Sequence, residues 1–128
     1  MKHLRYFNEA KGNKPNIKKV EFGGFSMLYG RDAQSNDILT FEIANDEDIW
    51  MHAKGVPGSH VVIKVDEKLP TEEILNHAAE IAAKNCKSTS EDIEIVVCKR
   101  KFVKKEPQMN PGQVKVDYKN SETIKVKK

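Results

Sequence analysis

One long stretch of the chain repeats its apolar residues at helical spacing, and short alternating segments enclose it on both sides. Pro70 precedes Thr71-Glu72-Glu73, a cap residue followed by an acidic first turn. Ile74, Leu75, Ala78, Ala79, Ile81, Ala82 and Ala83 then form an apolar stripe that runs to about Cys86. The order strands, helix, strands predicts an α+β domain: a mainly antiparallel β-sheet with one principal α-helix, over about 71–86.

The strands are read from period-two alternation. Ile17, Val20 and Phe22 lead to Gly23-Gly24, followed by Phe25, Met27, Tyr29 and Gly30, so residues 17–30 predict two strands joined by a tight turn. Residues 31–37 are rich in turn formers and predict a polar loop. Ile38 to Ala44 alternates, with Leu39, Phe41 and Ile43 on one side, and predicts a strand; a short helix capped by Asn36 or Asp37 is the alternative. Asn45 to Asp48 predicts a solvated turn. Ile49 to Ala53 and Ser59 to Val65 predict strands separated by the Gly- and Pro-rich loop Lys54 to Gly58. Ile93, Ile95 and Val97 mark a further strand. Pro107 and Pro111 require a loop, and residues 114–126 predict one or two short closing strands.

Length and charge limit the function. The 128 residues fit one domain, here 17–128 behind a polar N-terminal arm, 1–16. Apolar residues make up 38% and charged residues 32%, so the core is thin and the surface heavily charged. The net charge of +3 hides an asymmetry. Residues 1–31 hold seven Lys/Arg against two acids, a net +5; residues 99–128 hold ten against three, a net +7; residues 32–98 hold five against fourteen, a net −9. Two basic ends around an acidic waist point to a polyanionic partner. The N-terminus has no apolar signal-peptide core, and no run approaches the length of a membrane-spanning helix. Cys86 and Cys98 form no CxxC motif and read as reduced core thiols. A cytoplasmic protein with no membrane contact is expected.

Two groups of residues could carry chemistry. The first is Asp48 to Val62, which holds the single Trp, two of the four His, a Lys and a Pro-Gly-Ser turn. If its two strands pair, Trp50 and His52 lie near His60 on one face, with Lys54 beside them. An exposed aromatic beside cations suits nucleic acid, because bases stack on aromatic rings. A lone Trp on a strand is, against that, more often core. Ser59 and His60 are strand neighbours that point to opposite faces, which argues against a nucleophile–base pair. No HxxxH or CxxC spacing marks a metal site, and the phosphate-binding GxxxxGK[ST] pattern is absent, so no metal or cofactor is expected. The second group is the basic run Lys99-Arg100-Lys101 with Lys104-Lys105. As a strand it would place Lys99 and Lys101 on one face and Arg100 and Lys104 on the other, within reach of several phosphates. It reads equally as a solvated surface that offsets the acidic waist.

The chain also resembles a known family. Tyr29-Gly30-Arg31, then Asn36-Asp37-Ile38-Leu39-Thr40, then Asp48-Ile49-Trp50-Met51-His52-Ala53-Lys54-Gly55-Val56-Pro57-Gly58-Ser59-His60-Val61 is similar to the signature of the NFACT RNA-binding domain (NFACT-R) family. This is the C-terminal module of the fibronectin-binding-like and RqcH-type proteins. Met51 stands where the family usually has an aromatic residue, and Pro111-Gly112-Gln113-Val114 matches a later family motif. The resemblance covers about residues 18–127. It implies RNA binding in translation and ribosome-associated quality control, with tRNA or rRNA, on the large ribosomal subunit, as the partner. It does not imply the elongation activity of the long relatives, which depends on other domains not expected in these 128 residues.

The expected function is therefore a non-enzymatic RNA-binding module. Its candidate contacts are Arg31, Trp50, His52, Lys54, Ser59 and His60 at the signature surface, with Lys99, Arg100, Lys101, Lys104 and Lys105 on phosphates. Gly30, Asn36, Asp37, Asp48, Pro57 and Gly58 are the expected structural residues of the signature. The competing expectations are a module that docks on ribosomal or partner proteins, and a small metal enzyme built on His52, His60 and Asp48.

Overall fold

The computed structural model describes residues 14–128. β1 (Ile17–Phe22) and β2 (Phe25–Gly30) form a hairpin. Its turn residues, Gly23 and Gly24, have φ of 59° and 85°, the left-handed pair that a two-residue hairpin turn needs. β3 (Ile49–Ala53), β4 (Val61–Ile63), β5 (Asp92–Lys99) and β8 (Glu122–Lys127) complete one antiparallel sheet in the order β1-β2-β4-β3-β5-β8. β6 (Val103–Lys104) and β7 (Lys115–Val116) form a separate small ribbon. The α+β class and the mainly antiparallel sheet are as expected.

The principal helix, α2 (Glu72–Lys84), also matches. The Thr71 hydroxyl caps it by accepting from the Ile74 N–H. Its Ala-rich stripe (Ala78, Ala79, Ala82, Ala83) packs with Ile74 on one sheet face, against Met27, Met51, Ala53, Val61, Ile63 and Ile95. Four alanines let the helix backbone lie close to the sheet, so a chain poor in large apolar residues still fills this layer.

The opposite face carries the second core, and here two expectations are corrected. The polar loop at 31–37 and the strand at 38–44 are instead a helix, α1 (Ala33–Ile38), that runs on into a π-helical turn, Leu39–Ile43. Asp32, not Asn36 or Asp37, is the cap: its carboxylate accepts from the Ser35 N–H at 2.7 Å. The alternation misled because Ser35, Leu39 and Ile43, with Asn36 and Thr40 beside them, also fall at spacings of four. Trp50, Val62, Val96, Cys98, Leu39 and Val103 make this core. The basic run is corrected as well. Lys99 ends β5, and Arg100–Phe102 is a 3₁₀ turn rather than a strand.

Asp48 does not sit in a solvated turn. It is fully buried: Oδ2 accepts from Asn45 N–H (2.8 Å) and Lys64 Nζ (2.6 Å), and Oδ1 from Val65 N–H (2.8 Å). Three donors compensate the desolvation of one carboxylate and pin the 45–48 turn to the end of β4. The expected arm, residues 1–16, lies outside the described residues except for its last three. Of these, Asn16 is tied to the domain: its N–H donates to Ser35 Oγ, and its carbonyl accepts from Arg31 N–H, both at 2.8 Å. Among the described residues no helix is long and apolar enough to cross a membrane.

Candidate nucleic-acid interface

The signature block forms one side of a groove of about 890 Å³. The register Met51↔Val61, extended by one residue, sets His52 opposite His60. Their ring centroids lie 5.2 Å apart, and the Trp50 ring meets His60 edge-on at 5.1 Å. These three residues do gather on one face, as expected from the hairpin.

Their exposure is less even. Trp50 and His60 are each only 1% exposed, and Ser59 is also buried. Trp50 therefore has no ring face to offer a base, and stacking on it is ruled out by burial. It serves instead as core and as a hydrogen-bond donor. Trp50 Nε1–H donates to Thr40 Oγ1 at 3.1 Å, and Thr40 Oγ1 lies 2.8 Å from His60 Nδ1. His60 Nε2 reaches the Gly112 carbonyl at 3.2 Å. A carbonyl only accepts, so Nε2 carries the proton, and Nδ1 accepts from the Thr40 hydroxyl. Every polar atom of the relay is satisfied with a neutral imidazole. Burial first, then the neighbouring His52 ring, pushes the His60 pKa down to about 3. Burial lowers His52 too. Both rings are uncharged at neutral pH and do not act as phosphate-binding cations.

The remaining signature residues hold this arrangement in place. Asn36 grips the strand leading into β4: its side-chain NH₂ donates to Gly58 O (3.2 Å), and its Oδ1 accepts from His60 N–H (3.0 Å). A Cβ on Gly30 would come within 2.2 Å of that same Oδ1, so glycine is required where β2 passes under α1. Ser59 Oγ donates to the Gly30 carbonyl, which leaves it unavailable as a nucleophile for His60. Asp37 docks the far loop: Oδ1 accepts from Gly112 N–H (3.1 Å), and Oδ2 pairs with Lys105 (3.0 Å). Gly112 is thus held from both sides, by Asp37 and by His60. The loop that carries it becomes the second wall of the groove.

The cations divide into two sets. Lys99 and Lys101 both pair with Glu47, at 2.7 and 2.9 Å, and hold its carboxyl down to about 2. Arg100 pairs with Asp46 at 2.6 Å. Lys105 is spent on Asp37 and on the Asn110 and Gln113 carbonyls. Of the run, Lys104 alone makes no ion pair among the described residues. In the groove the balance is reversed. Arg31, Lys54 and Lys87 are exposed and make no ion pair among the described residues. The one acid lining the groove, Asp32, is engaged as the α1 cap.

Sequence reasoning missed four contributors. Thr40 lay in a segment read as a strand. Lys87 follows the principal helix with no motif around it. Gly112 belonged to a quoted motif but had no assigned role. Tyr118 was read as part of a closing strand, yet it lies on the groove and is 61% exposed. Among the described residues, no group of three or more His, Cys, Asp and Glu side chains could hold a metal ion.

The family model of the NFACT protein RNA binding domain matches residues 14–118. The Rqc2 homolog RqcH of Bacillus subtilis (strain 168) is 37% identical over 111 residues, covering 85% of this chain and 19% of that protein. The Rqc2 homolog RqcH of Streptococcus suis (strain 05ZYH33) is 34% identical over 117 residues, covering 91% and 21%. The structure of the C-terminal of the fibronectin/fibrinogen-binding protein from Streptococcus suis matches with a TM-score of 0.78 and 33% identity, over 88% of this chain and 45% of that one. The chain spans about a fifth of the length of these curated relatives. With the family model matched along most of its length, the chain belongs to the NFACT RNA-binding domain family.

Proposed function

We propose that the chain is a non-enzymatic RNA-binding module that uses the signature groove to contact tRNA or rRNA on the large ribosomal subunit, in ribosome-associated quality control in the cytoplasm. The observation that carries this reading is the charge of the groove. Arg31, Lys54 and Lys87 all line it without acidic partners among the described residues, whereas most of the basic run at 99–105 is already neutralised by Asp46, Glu47 and Asp37. Unpaired cations on a concave surface favour a polyanion, and each phosphate they neutralise steepens the salt dependence of binding. Family membership and the names of the long relatives support RNA as that polyanion and quality control as the setting.

The test is a salt titration of tRNA and rRNA-fragment binding. Reversing Arg31, Lys54 and Lys87 to Glu abolishes binding at moderate salt. Reversing Lys99, Arg100 and Lys101 to Glu costs far less. Equal affinity and equal salt slope for the wild type and the groove variant would overturn the assignment.

A further inference from the structure

With Trp50 sealed in the core, the groove needs another surface if it is to take a base, and one is present. Tyr118 and Leu69 are the large apolar side chains that stand exposed among the described residues, and Tyr118 is the one on the groove. Its turn is well braced. Asp117 N–H donates to Phe102 O at 3.0 Å, and the Asp117 carboxylate accepts from Lys119 N–H (3.2 Å) and Asn120 Nδ2 (2.7 Å). Ser121 Oγ donates to the Tyr118 carbonyl at 3.1 Å. A braced backbone presents an aromatic ring to solvent at little entropic cost on binding.

The shape of the site favours unpaired nucleotides. A groove of about 890 Å³ is on the scale of a compact ligand, about one or two nucleotides. An A-form duplex keeps its base faces stacked inside and is too wide for a groove of this volume to admit. A splayed single strand can place one base on a ring and its phosphates on flanking cations.

We propose that Tyr118 is the stacking platform for an unpaired RNA base in this groove, with Arg31, Lys54 and Lys87 on the neighbouring phosphates. The inference rests on the RNA-binding reading above and narrows its ligand to single-stranded or looped RNA. The neutral His52 ring, half-buried on the groove floor, can then meet the base by hydrogen bonding rather than by charge.

The test compares a single-stranded RNA of about ten nucleotides with the same sequence in a blunt duplex, using the full chain. The wild type binds the single strand more tightly. Tyr118→Ala weakens single-strand binding about tenfold, with the salt slope unchanged and duplex binding unaffected. Tyr118→Phe retains the wild-type affinity. Three results overturn the inference: equal wild-type affinity for strand and duplex, Tyr118→Ala binding like the wild type, or Tyr118→Phe losing as much as Tyr118→Ala. If the Arg31/Lys54/Lys87 reversal still abolishes binding in any of these cases, the groove assignment stands and only the stacking role falls. If the reversal has no effect either, both fail.

Discussion

His60 and Gly112 are 52 residues apart in sequence and meet at 3.2 Å through the imidazole Nε2–H and the glycine carbonyl. That bond joins the two walls of the groove: the signature hairpin on one side and the 106–114 loop on the other. Its far end runs through Thr40 to the buried Trp50. The signature histidine is therefore a positioning residue for the groove rather than a surface contact.

His60→Ala should lose about 2–4 kcal/mol of stability, because it opens a cavity and strips partners from Thr40 and Gly112. His60→Gln keeps an amide donor for the Gly112 carbonyl and should lose less. Denaturant unfolding measures both. RNA affinity should fall in the same order, since the loop loses its anchor.

The depressed pKa of His60 makes stability depend on pH. In the unfolded chain the ring binds a proton below about 6.5; in the fold it does so only near 3. Between these values the unfolded state holds more protons, so stability is fully present above about pH 6.5 and is lost as the pH falls. His52 is shifted in the same direction and adds to the loss. Between about pH 6.5 and 4.5, before most carboxylates titrate, unfolding free energy should drop with a slope of up to ~1.4 kcal/mol per pH unit from His60. The slope should be shallower in His60→Gln. A wild-type stability independent of pH in this window would contradict the neutral relay.

Gly30→Ala should destabilise the fold by about 1–3 kcal/mol, as overpacking does. Its new Cβ would meet Asn36 Oδ1 at 2.2 Å and the Asn36 backbone N and Cα at 2.9 and 3.0 Å. Relief requires Asn36 to release Gly58 and His60, so the variant should also weaken RNA binding. Thermal melts with binding measured well below the transition would separate the two effects.

Asp48→Ala should cost about 3–5 kcal/mol, because it leaves Lys64 without its carboxylate at a partly buried site. Asp48→Asn keeps acceptor capacity for one backbone N–H and should fall between that variant and the wild type. A loss below 1 kcal/mol for Asp48→Ala, read by urea unfolding, would mean that the turn re-forms without the carboxylate.

The candidate site was legible in its members more than in their roles. Trp50, His52 and His60 were placed together by strand register, because alternation and a short Gly/Pro loop leave little freedom in how a hairpin pairs. Whether Trp50 faced water was not legible, because one sheet face looks like the other until the element covering it is known. That element was α1 with its π-helical turn, and its residues alternate well enough to pass for a strand. The pairing of the basic run was not legible for a different reason. Lys99, Arg100 and Lys101 are strongly cationic as a list, but the 45–48 turn folds back to bring Asp46 and Glu47 against them.

By itself, the sequence determined the α+β class, the capped principal helix, the Gly-Gly hairpin and the family, since each rests on local periodicity, turn chemistry or a contiguous motif. Only the tertiary structure decided which cations lack an ion pair among the described residues, that Trp50 is sealed, and that Tyr118 stands open on the groove that Arg31, Lys54 and Lys87 also line. Those outcomes depend on contacts between segments far apart in the chain. Burial and ion pairing belong to the surroundings of a residue, which no local pattern encodes.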